Sequence, residues 1–116
     1  MKISQLGEIL SDEFAIKVAG GSANPEELAI EKIKDSDIAG VAFDSREVRG
    51  GYVFVAIKGV KTDGHLFIES AVEKGASAVI CETPEVYEKY RQMYKDVLFL
   101  CVRDARRALA VVSAYF

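Results

Sequence analysis

Two polar stretches carry residue types able to do chemistry. One is Phe43-Asp44-Ser45-Arg46 and the other is Gly59-Val60-Lys61-Thr62-Asp63-Gly64-His65. The Ser45 hydroxyl can donate to or accept from a base or a phosphate, and the Arg46 guanidinium can grip phosphate through paired N–H groups. Lys61 and Thr62 add a cation and a hydroxyl just ahead of an expected helix start, a place that favours anions. His65 can act as an acid–base group. No serine–acid partner set accompanies it, so a hydrogen bond at the helix start is the better reading. On spacing alone, an Asx-type turn at Asp44 with Arg46 in a surface salt bridge fits the first stretch better than a ligand site. An ordinary solvated loop fits the second equally well. Both pairs of readings stand at this point.

The elements that must position these stretches are strands. Ile38 to Phe43 is strand-like and runs into the Asp-Ser-Arg segment. Gly50-Gly51 marks a tight turn. Tyr52 to Ile57 is apolar at every position, as a central strand covered on both sides is. The two polar stretches therefore flank one buried strand. Asp63 reads as an N-cap for a helix in which Phe67, Ile68, Ala71 and Val72 form one stripe, ended by Gly75. Ala76 to Cys81 is the next strand. Thr83 caps a second helix with Pro84 at its first position, where a missing N–H costs nothing. Val97 to Val102 is a further strand, and Asp104 caps a last helix with Ala105, Ala108, Leu109, Val112 and Phe116 on one face.

Nearer the start, Ile3, Leu6 and Leu10 mark a short helix with Ser4 as N-cap, weakened by Gly7. Phe14, Ile16 and Val18 alternate as a short strand, and Gly20 to Pro25 is a loop. Glu26 to Asp37 suits strand and helix equally. The alternation of strands and helices predicts an α/β fold: a mostly parallel sheet flanked by helices, with right-handed crossovers.

Composition narrows the function classes. The chain has 116 residues, half of them hydrophobic, which is one domain's worth with a layered core. Its net charge is −3, with acids and bases interspersed, which argues against a nucleic-acid partner. Cys81 and Cys101 sit in apolar runs and read as buried thiols. Without a secretory signal or an apolar run of about 18 residues, a cytoplasmic protein with no membrane partner is expected. Nothing has metal-ligand spacing. Neither G-x-x-x-x-G-K-[ST] nor G-x-G-x-x-G is present. Arg103, Arg106 and Arg107 are split by Asp104 and read as a solvated helix face. The sequence stops at Ala114-Tyr115-Phe116, inside or just after an apolar helix, so residues 1–116 are expected to be one domain of a longer protein.

The spaced set Phe43-Asp44-Ser45-Arg46, Gly51-Tyr52-Val53-Phe54-Val55-Ala56, Gly59, Asp63-Gly64-His65, Phe67-Ile68, Ala71 and Gly75-Ala76 resembles the N-terminal domain of the Mur ligases. These enzymes use ATP to add amino acids to the UDP-linked muramoyl peptide of the bacterial cell wall. The run Arg103-Asp104-Ala105-Arg106-Arg107-Ala108-Leu109-Ala110 is most similar to the MurE-type members, although the MurF type shares much of the pattern. The resemblance covers residues 38–116.

It implies a domain that holds the UDP end of UDP-N-acetylmuramoyl-L-alanyl-D-glutamate, in an enzyme that adds diaminopimelate or lysine. The substrate contacts it implies fall on Phe43, Ser45 and Arg46, and on Val60, Lys61 and Thr62. ATP, Mg2+ and the catalytic groups would belong to the family's central domain, itself a partner of this one, and none of them to this chain. Tyr52 departs from the family pattern, which often has Asp there. A non-catalytic α/β interaction domain is the rival reading.

Overall fold

The computed structural model describes residues 15–18, 37–57, 67–94 and 96–114. The expected helix at residues 3–10, the ambiguous segment 26–37 except for Asp37, and the expected Asp63 cap lie outside the described residues.

Among the described residues five strands form one sheet: β1 Ala15–Val18, β2 Gly40–Ala42, β3 Tyr52–Val55, β4 Ala78–Cys81 and β5 Leu98–Val102. Their spatial order is β1-β5-β4-β3-β2. β2 to β5 are mutually parallel, and β1 adds antiparallel to the outer edge of β5. The expected mostly parallel α/β sheet is therefore present. β4 and β5 are buried along their whole length, and in β3 every residue after Tyr52 is. Strands covered on both faces read as unbroken apolar runs for this reason.

Alternation along each strand divides the core into two halves. Val53, Val55, Ile80, Leu98, Leu100 and Val102 face one side, where helix α3 (Ala105–Ser113) covers them through Ala105, Ala108 and Val112. Phe54, Val79, Cys81, Phe99 and Cys101 face the other. There they meet helix α1 (Ile68–Glu73), helix α2 (Pro84–Met93) and a 3-10 turn at Ser45–Glu47.

The helix ends follow local chemistry. Asp104 caps α3, its Oδ1 accepting from the Arg107 N–H at 3.1 Å. Pro84 opens α2 as expected. Thr83 occupies the cap position, but its hydroxyl makes no cap hydrogen bond. The fixed φ of Pro84 starts this helix without it. Gly75, at φ +103, ends α1. The Gly75 N–H donates to the Val72 carbonyl at 3.0 Å and the Ala76 N–H to the Ala71 carbonyl at 3.1 Å, the paired bonds of a Schellman end. One expectation fails in α1. Phe67 is not on its buried stripe but precedes the first helical residue and is 40% exposed.

Candidate functional site at the end of β2

The Asp-Ser-Arg segment leaves the carboxyl end of β2 and immediately forms the 3-10 turn. Asp44 starts it. Its Oδ1 accepts from the Arg46 backbone N–H at 2.9 Å, and its carbonyl accepts from the Glu47 N–H at 3.0 Å. The same carboxylate then holds the Arg46 side chain in a fork. Arg46 Nε donates to Oδ1 at 3.0 Å, and Nη2 donates to Oδ2 at 2.7 Å. The Asx-type turn and the surface ion pair are thus both present. This paired hydrogen bonding, with Arg46 donating from side chain and backbone, holds the Asp44 carboxyl down at about 2.

The turn has a dry side and a wet side. Ser45 is buried, and Val48 is anchored in the core beside Ala42, Phe54 and Ile68. Phe43 is 59% exposed and the Arg46 side chain 85% exposed. An aromatic ring and a guanidinium therefore stand in solvent at the end of a parallel strand, the place where open α/β sheets take ligands. The fork engages Nε and Nη2, so the Nη1 edge of Arg46 is left to face an anion. Arg49 lies close by and donates from Nη1 to the carbonyls of Arg46 at 3.3 Å and Val48 at 3.1 Å. The structure thus brings together Phe43, Ser45 and Arg46. Val60, Lys61 and Thr62, with Asp63 and His65, lie outside the described residues.

Two contacts had no signal in the sequence reading. Lys74, just after α1, donates from Nζ to the Ser45 carbonyl at 3.0 Å. Glu82, just after β4, accepts from the Ala105 N–H at 2.7 Å and so supplies α3 with a second carboxylate at its start. Arg103, Arg106 and Arg107 are exposed, as expected of a solvated face.

Residues 37–116 match the family model described as Mur ligase family, catalytic domain. The chain belongs to the Mur ligase family. Its relatives include two proteins named UDP-N-acetylmuramoyl-L-alanyl-D-glutamate--2,6-diaminopimelate ligase. The one from Clostridium tetani is 42% identical over 80 residues, covering 69% of this chain and 16% of the relative. The one from Bacteroides fragilis is 34% identical over 112 residues, covering 97% of this chain and 20% of the relative. This Mur ligase chain thus spans a fifth or less of these relatives. Among solved structures, MurF from Acinetobacter baumannii superposes on 98% of the chain and 20% of its own, with a TM-score of 0.64 and 24% identity. That likeness is one of fold.

Proposed function

We propose that this chain is the substrate domain of a longer Mur ligase in peptidoglycan synthesis. On this reading residues 1–116 hold the UDP end of UDP-N-acetylmuramoyl-L-alanyl-D-glutamate. Phe43 offers a ring to the base. Ser45 orders the turn and presents backbone groups, and Arg46 faces the phosphates. Val60, Lys61 and Thr62 complete the site from the second loop. The carrying observation is the rigid turn at the end of β2, with Phe43 and Arg46 in solvent and the guanidinium oriented by Asp44. The substrate named for the diaminopimelate-adding relatives supports the ligand, and their identities favour this branch over the MurF type. Diaminopimelate is accordingly the expected incoming residue, with lysine as the other candidate.

Catalysis belongs to other parts of the protein. On this reading ATP and Mg2+ are held by the protein's central domain. The sequence lacks a phosphate loop, and among the described residues no three of His, Cys, Asp and Glu gather to hold a metal. No described helix is long and apolar enough to cross a membrane. A UDP-linked precursor enzyme with two buried, unbridged thiols suits the cytoplasm.

The test is an NMR titration with UDP and with the UDP-muramoyl dipeptide. Amide shifts confined to Phe43–Arg46 and Val60–Asp63 are expected. No shift at millimolar ligand, in this chain and in the full-length protein that carries it, would overturn the substrate site. Ligase turnover by the 116-residue chain alone would overturn the division of labour.

A further inference from the structure

We infer that Lys74 is a positioning residue for this site: its ammonium holds the Ser45 carbonyl, and with it the backbone that aims Phe43 and Arg46. The inference rests on the substrate-domain reading above. Ser45 is the centre of the motif, and its carbonyl has two donors. The Val48 N–H reaches it at 3.4 Å, long for such a bond, whereas Lys74 Nζ reaches it at 3.0 Å. The tighter hold on the turn therefore comes from a residue 29 positions away.

The Lys74 backbone is itself fixed. Its own N–H donates to the Ser70 carbonyl at 3.1 Å, and the Schellman bonds close directly after it. The next residue docks on the β2–β3 connection, where the Gly51 N–H donates to the Gly75 carbonyl at 3.0 Å. A Cβ on Gly75 would stand 3.0 Å from the Gly50 Cα, so the two backbones are in close contact. The ammonium thus spans from one anchored backbone to another. Its positive charge also favours, as a minor contribution, the ionised Asp44 carboxylate. An ordinary helix-end lysine would only complement the helix dipole and leave the turn indifferent.

The experiment compares Lys74→Met and Lys74→Arg in the full-length protein that carries this chain. Loss of one charged hydrogen bond at a part-buried carbonyl predicts a KM for the UDP-linked substrate raised about three- to tenfold in Lys74→Met. The KM for ATP should stay unchanged, and Lys74→Arg should recover most of the loss. A KM for the UDP-linked substrate within about twofold of wild type would overturn the inference, as would an equal rise for ATP, the mark of general loosening. If the wild-type protein shows no affinity for UDP-linked ligands, it is the substrate reading that fails. The Ser45–Glu47 amide signals then decide the role of Lys74: displacement in Lys74→Met retains it as the brace of the turn, and unmoved signals overturn it.

Discussion

The two faces of the sheet are built from different materials. The face under α3 is aliphatic, and among the described residues its buried members are Val, Ile, Leu and Ala alone. The opposite face holds the rings of Phe54, Phe99 and Tyr87 and the thiols of Cys81 and Cys101. Adjacent residues of one strand supply both, as Phe99 and Leu100 do. What covers each face explains the difference. On the first, among the described residues, one helix lies on the strands through Ala105 and Ala108, small residues that permit close approach. On the second, among the described residues, two helices and a 3-10 turn pack against the large rings of Phe54, Phe99 and Tyr87. Among the described residues, the candidate site is an extension of the second face, since Val48 pins its turn there.

The largest expected effect is on the ring face. Phe99→Ala removes a fully buried ring and should cost about 3–5 kcal/mol, read as a lower urea midpoint at constant m. A cost below about 1 kcal/mol would mean that this face is loosely filled. Next is the close seat of α3. Ala108→Leu should cost about 1–3 kcal/mol by overpacking, in the same measurement. A neutral result would break the contrast, because the aliphatic face would then have room to spare.

The third expected effect is alkaline. Burial pushes the Cys81 thiol and the Tyr87 phenol each up to about 12, and both belong to the ring face. In the unfolded chain they ionise near 9 and 10. Their stabilising contribution is therefore complete below pH 9 and is lost as the pH rises toward 12, by at most about 1.4 kcal/mol per pH unit for each group. Urea midpoints between about pH 8 and 11 should fall, and Cys81→Ala with Tyr87→Phe should flatten that slope. An unchanged slope in the double variant would remove ionisation from the comparison.

Much of this was legible in the sequence because it is local. Unbroken apolar runs marked β3, β4 and β5, and Pro84, Asp104 and Gly75 marked helix ends through backbone chemistry that each residue carries by itself. The turn at Asp44 was legible for the same reason: its carboxylate reaches only two residues onward. What escaped was what the fold alone brings together. The alternation Phe14, Ile16, Val18 announced a strand but not its pairing with β5, some eighty positions away. Lys74 and Glu82 act on backbone groups 29 and 23 positions distant, and a backbone carbonyl or N–H looks the same beside every residue type. Phe67 misled because apolar spacing implies a buried stripe only where the backbone is already helical.

Tyr52 has a partner that spacing did not disclose. It lies in register with Gly40 on the neighbouring strand, and a Cβ on Gly40 would stand 2.7 Å from the ring carbon Cζ. The tyrosine ring lies where the neighbouring side chain would otherwise be. These two positions are consequently coupled: a side chain at position 40 is admitted only as the Tyr52 ring swings aside, and a shorter residue at 52 would open the same space.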